Sequence, residues 1–154
     1  MPPAHVRELR ALVSHRRRLM SQRTAAKNRL RAVLHRHHLI PPEGALFGDQ
    51  NRTWWANLPL VPSERLRVQH HLDTVERVSA QLVETENELA RLSVDEQWVE
   101  QATLLIQLPG IAMLNAMTIL GAIGDITRFP NAKKLVGYAG LGGKVHASGK
   151  THRG

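Results

Sequence analysis

The chain has 154 residues, enough for one medium domain or two small ones, with 42% hydrophobic and 4% aromatic content and no cysteine. That composition favours long helices with Leu, Val and Ala seams over a β-sandwich, and it excludes disulfides and thiolate metal sites. No run reaches the roughly 18 apolar residues of a membrane span, and the basic N-terminus has no apolar stretch behind it that would make a signal peptide. The expected location is therefore cytoplasmic and nucleoid-associated, with no membrane partner.

The net charge of +8 is unevenly placed. Residues 1–40 carry ten Lys/Arg against one acid, residues 41–92 five against eight, and residues 93–154 six against four. A basic excess confined to one segment is the usual footprint of a polyanion partner.

In chain order, Pro2-Pro3 can start a helix but not continue one. From about residue 4 to 39, Leu9, Leu12, Val13, Leu19, Met20, Ala26, Leu30, Val33 and Leu34 recur at three- and four-residue steps and predict one long helix with an apolar stripe. Around it stand Arg16, Arg17, Arg23, Lys27 and Arg31, the candidate nucleic-acid-binding side chains of this helix. The register Val6, Val13, Met20, Lys27, Leu34 places a lysine near the seam and makes it an imperfect coiled coil. Prolines and glycines between 41 and 62 break the helix. Trp54 and Trp55 fall in this break and read as a hydrophobic plug rather than as a base-stacking pair.

Ser63 is the expected N-cap of a second helix over about 63–92, striped by Val68, Leu72, Val75, Val78, Leu82, Leu89 and Leu92. Two long helices with a Pro-rich connector read as an antiparallel coiled-coil hairpin over residues 1–92, with a homo-oligomer expected through its seam. The second helix carries Glu84, Glu86 and Glu88, a set able to offset basic charge on the first helix or on another subunit. Ser93-Val94-Asp95-Glu96 fits a capping box opening a short helix to about Gln107. A turn at Leu108-Pro109-Gly110-Ile111 leads to an apolar helix over about 112–123, and Asn131 caps a further one over about 132–139. The expected class is all-α: the hairpin, then a small helical domain over 93–154 with a helix-hairpin-helix and a Gly-rich basic tail.

Two places offer chemistry. In a helix-hairpin-helix, backbone N–H groups at the turn and at the second helix's start accept a DNA phosphate without reading sequence, which makes Pro109, Gly110, Ile111 and Ala112 candidates. In the tail, Ser148 stands among Lys144, Lys150 and Arg153, with His146 and His152 nearby. A serine becomes a nucleophile when a base or surrounding cations stabilise its alkoxide. The histidine clusters at 35–38 and 70–71 lack the acid support and spacing of a metal site, so no metal or other cofactor is assigned to this chain.

Taken together, Leu108-Pro109-Gly110-Ile111, Ala116, Ile123-Gly124-Asp125-Ile126, Arg128-Phe129, Lys134-Leu135-Val136-Gly137-Tyr138-Ala139-Gly140-Leu141 and Ser148-Gly149 resemble the C-terminal domain of insertion-sequence transposases of the IS110, IS116 and IS902 group, and of the Piv-type DNA invertases. Arg23-Thr24 and Lys27-Asn28-Arg29-Leu30 resemble the coiled-coil region that precedes that domain. The resemblance implies DNA cutting and rejoining in transposition, DNA as partner, and a guide RNA as a further candidate partner. It also implies a composite site in which acidic residues of an N-terminal RuvC-like domain bind Mg²⁺ and Ser148 attacks the phosphodiester. Residues 1–92 hold no strand bearing a metal-binding Asp, so the chain is expected to be a fragment that binds nucleic acid without cleaving it. The alternative is a stand-alone basic helical DNA- or RNA-binding protein.

Overall fold

Pro3 cannot extend a helix backwards, but its carbonyl accepts the amides of Val6 and Arg7, and helix α1 starts beside it, spanning Ala4–Arg36. The structure, a computed structural model, describes residues 1–124 and residue 134. Among these it is helical throughout, with no strand: α1, a 3₁₀ turn at Asp49–Asn51, then α2 (Arg52–Ala56), α3 (Pro62–Ser93), α4 (Val99–Ile106) and α5 (Met113–Ile123). The all-α class expected from composition is the one observed. The helix expected near 132–139 lies outside the described residues.

The stop of α1 differs from the expected one near residue 39. His38 takes a left-handed conformation with φ 53°, its amide donates to the His35 carbonyl, and the Leu39 amide reaches back to Leu34 at 2.9 Å. This pair of bonds closes a helix through a left-handed residue that is usually glycine, so the sequence carries no flag for it. At the start of α3, Pro62 and Ser63 both lie inside the first turn, and the Val61 carbonyl accepts the amides of Glu64 and Arg65. Ser63 is therefore not the cap: Pro62 is pre-set for the helix and has no N–H to leave unmatched. The capping box at Ser93 does not form either. Ser93 is the last residue of α3, its hydroxyl donates to the Ala90 carbonyl at 2.7 Å, and α4 begins only at Val99, beyond a turn over 94–98.

The chain forms two compact units, each built from both long helices. One comprises residues 16–84. Its core gathers Ala26, Leu30, Val33 and Leu34 of α1, Val68 and Val75 of α3, and Trp55 and Leu58 of the connector, while Leu19, Val78 and Leu82 form a smaller cluster. Arg36 pairs with Glu64 and Leu19 packs with Val78 and Leu82, so the two helix segments run in opposite directions within this unit. Trp55 is 2% exposed and its indole N–H donates to the Leu46 carbonyl at 2.9 Å, so it fills the core with its polar edge satisfied.

The other unit joins residues 1–15 to the chain from Thr85 onward. Val6, Leu9 and Val13 pack with Leu89, Trp98, Ala102, Leu105, Ala116, Met117, Leu120 and Ile123. Trp98, Leu9, Leu105, Met117 and Leu120 are fully buried, each such side chain contributing about 1.5–3 kcal/mol relative to exposure.

Along α1 the burial follows Leu9, Leu19, Ala26, Leu30 and Val33, with Arg16 and Arg23 half-buried at the intervening positions, while Met20 is 38% exposed. The expected register is met at Val6, Val13 and Leu34, which are buried, and at half-buried Lys27, and it departs at Met20. The seam that forms repeats by sevens through Leu9, Arg16, Arg23 and Leu30, and through Leu12, Leu19, Ala26 and Val33. Met20 lies exposed beside it.

Candidate nucleic-acid interface

The basic side chains singled out on α1 meet different fates. Arg23, Lys27 and Arg31 follow one another at four-residue spacing, which places them along one face of the helix. Phe47, from the connector, lies against that face. The Lys27 ammonium is 5.3 Å and the Arg31 guanidinium 5.2 Å from its ring centroid, within the range of cation–π attraction. Behind it, Phe47 stacks on Trp55 at 6.0 Å, and Trp54 meets Trp55 edge-on at 5.2 Å. Arg31 also donates to Asn28 Oδ1 at 3.3 Å.

Lys27 is half-buried, and its pKa is lowered first by that burial and then by the charges of Arg23 and Arg31. Among the described residues, none of Arg23, Lys27 and Arg31 makes an ion pair. Other cations are matched: Arg36 by Glu64 at 2.5 Å, Arg52 by Asp49 and Glu76, Arg91 by Glu88, and Arg65 by the carbonyls of Ala56 and Leu58. Arg17 is exposed and borders a shallow depression lined by Ser21, Thr24 and Asn28, residues whose side chains commonly contact phosphates. Arg16 is half-buried and already has an interaction partner.

Sequence reasoning missed Glu64 and Phe47. The Glu64 carboxylate is only 8% exposed and accepts from Arg36 and from His37 Nε2 at 2.7 Å. The Arg36 and His37 hydrogen bonds hold its pKa below the ordinary 4.5. The visible signal was an acid in the first turn after Pro62, where the helix dipole favours it. Phe47 gave none, since an isolated aromatic in a loop has no periodicity. A second crowd of positive charge stands at His71, whose pKa is lowered by burial first, then by Arg29, His70 and Arg67. Among the described residues no group of three or more His, Asp or Glu side chains comes together to hold a metal ion.

At the turn, the Ile111 amide donates to the Leu108 carbonyl at 3.1 Å, and Gly110 has φ +83°. Pro109, Gly110 and Ala112 are exposed and Ile111 half-buried. Ala112 precedes α5 in an extended conformation and supplies no side-chain cap, and the first turn of α5 holds no acid. A helix start of this kind directs amide donors and positive dipole outward, toward an anion. Gly124, which ends α5, has φ +78°, and a Cβ there would meet Arg10 Nη2 at 2.5 Å. Arg10 in turn donates through Nε to the Gly121 carbonyl at 2.9 Å. The glycine of the Ile123-Gly124-Asp125 motif is thus favoured by its backbone conformation, while a Cβ there would displace the end of the Arg10 side chain. Lys144, Ser148, Lys150 and Arg153 lie outside the described residues. No helix among the described residues is long and apolar enough to cross a membrane.

Comparison with known proteins gives the class first. Residues 102–154 match the family model described as the Transposase IS116/IS110/IS902 family, which is the group recognised from the Pro109–Ser148 pattern. The chain is also 26% identical, over 148 residues covering 92% of it, to the transposase for insertion sequence element IS1111A of Coxiella burnetii (strain RSA 493 / Nine Mile phase I). The chain spans 39% of that relative's length. No solved structure matches.

Proposed function

We propose that the chain is the DNA-holding part of an insertion-sequence transposase, acting in transposition of its element. The observation that carries this reading is the family match over residues 102–154, together with 26% identity to a transposase across nearly the whole chain. Two physical features agree with it: the unpaired cation row on α1, and the exposed, uncapped start of α5 behind the Pro109-Gly110 turn. Phosphate contacts of these kinds fix position on DNA and carry no base identity.

Within the same reading, Ser148 is the nucleophile. Its hydroxyl proton passes to a base close by in sequence such as His146 or His152, Oγ bonds to phosphorus, and a backbone P–O bond breaks, its departing oxygen taking a proton back from the protonated base to leave as a free hydroxyl end of the strand. Lys144, Lys150 and Arg153 offset the charge that builds on the phosphoryl oxygens. The family resemblance implies Mg²⁺, but the described residues do not gather the three acidic or histidine side chains that would hold an ion, and no step here is routed through one. The chain alone therefore binds DNA and leaves it uncut. A guide RNA and a second copy of the chain are further proposed partners.

Duplex binding followed against salt tests the first part. Log affinity should fall with log salt by about 0.9 per neutralised phosphate, and a flat profile overturns it. Supercoiled DNA incubated with the chain and Mg²⁺ tests the second. Retention without nicking is expected. Nicking that disappears in Ser148→Ala would overturn the claim of an uncut product while supporting the serine.

A further inference from the structure

We propose that Arg23, Lys27 and Arg31, with Asn28 beside them and Phe47 as a backstop, form a clamp for the phosphodiester backbone of a nucleic acid. This deepens the DNA-holding reading and rests on it.

The case begins with what the row lacks. Arg36, Arg52 and Arg91 face carboxylates, and Arg65 is bound by backbone carbonyls. Arg23, Lys27 and Arg31 make no ion pair among the described residues, while Asp49 and Glu76 in the same unit are taken by Arg52 and Asp73 accepts from Gln69. Three cations held on successive turns repel one another, and the two arginines add to burial in disfavouring the charge on Lys27. An anion arriving from outside removes that cost, and the gain is larger because the half-buried ammonium is poorly solvated.

The second feature is positional. Long cationic side chains are usually mobile and lose entropy on binding. Here Lys27 and Arg31 rest on one ring, at 5.3 and 5.2 Å, and that ring is itself stacked on the buried Trp55. Arg31 is also tethered to Asn28. The cations are thus pre-placed, which lowers the ordering cost of contact. One helical turn rises about 5.4 Å, so the row offers charges at intervals close to the spacing of consecutive phosphates on one strand, which is the reason to assign a phosphodiester chain rather than an isolated anion. An acidic protein segment is the competing occupant.

The test uses the full chain and a short fluorescent duplex of mixed sequence. The double variant Lys27→Gln/Arg31→Gln should bind about tenfold more weakly and lose close to two contacts from the salt slope, at about 0.9 each. Lys27→Arg, which keeps the charge, should retain most of the wild-type affinity, and Arg52→Gln, a cation already matched by Glu76, should change nothing. Circular dichroism of each variant checks that helix content is kept. A second reading needs no variant: the Phe47 ring resonances of the wild-type chain should move on adding duplex. If wild type binds with a steep salt slope while the double variant binds equally and Phe47 does not move, the clamp is overturned and the DNA-holding reading stands. If wild type binds no duplex, both fall. If a poly-glutamate peptide moves Phe47 at lower concentration than duplex does, the occupant is acidic protein and the phosphodiester assignment is overturned.

Discussion

Both compact units match some of their cations internally, and they differ in which ones are left without an ion pair. In the unit formed by residues 1–15 and 85 onward, Arg10 is consumed by the Gly121 carbonyl and Arg91 by Glu88, with Asp95 at 3.9 Å. In the unit of residues 16–84, ion pairs join Arg36 and His37 to Glu64 and Arg52 to Asp49 and Glu76, while Arg23, Lys27 and Arg31 make none among the described residues and the last two rest on an aromatic ring. Ion pairs at exposed positions contribute little to stability, so the contrast is not one of strength. It separates cations matched within the fold from a row that, on the proposed reading, meets a nucleic acid.

The largest effects that sharpen this contrast come from the cores. Trp98→Ala should cost about 3–5 kcal/mol and Leu30→Ala about 2–5 kcal/mol in urea unfolding. Amide exchange on each variant should show the loss first in the unit that holds the substituted residue, and uniform acceleration across both would argue against two units. Gly124→Ala comes next: a left-handed residue costs about 1–2 kcal/mol, and displacing Arg10 from the Gly121 carbonyl adds about 1 kcal/mol. Gly110→Ala has the same backbone penalty without a clash, since nothing lies within 4 Å of a Cβ there, and should cost about 1 kcal/mol. A larger loss would mean that the turn is tighter than its geometry shows.

The smallest difference is one of pH. The folded-state pKa of Glu64 is depressed by Arg36 and His37. Its carboxylate therefore stabilises the fold above the ordinary value of 4.5, and that contribution is lost as pH falls through the depressed value. The stability gap between wild type and Glu64→Gln should be constant toward neutral pH and close in acid. A gap that persists unchanged in strong acid would show that the ion pairs are not its source.

The elements themselves were legible where period and punctuation agreed. The apolar spacing from Val6 to Leu34 and from Val68 to Leu92 gave α1 and α3 nearly to the residue, and Pro109-Gly110 with Gly124 bracketed α5. Register was less legible. Two stripes on α1, one with Val6, Val13 and Leu34 and one with Leu19, Ala26 and Val33, are both buried, and packing leaves out Met20 alone among their apolar members. The seam accepts two arginines, whose aliphatic stems can be buried while their heads reach water. Caps were misread at Ser63 and Ser93 because a serine near a boundary fits several roles, and neighbouring backbone decides among them. Of the candidate site, the basic face and the turn could be read from composition and order. Phe47 and Glu64 could not, because both owe their roles to contacts between segments far apart in the chain. The Ser148 tail was read from resemblance and lies outside the described residues.

The unit that joins residues 1–15 to the chain from Thr85 is assembled from segments far apart in sequence. Val6, Leu9 and Val13 are buried against Leu120 and Ile123, more than a hundred residues later in the chain. A ribosome adding about 5–20 residues per second leaves that N-terminal apolar strip uncovered for several seconds after it emerges. The stretch from Val6 to Val13 is therefore open to a chaperone while the intervening chain is made, and it is sealed only when α5 arrives.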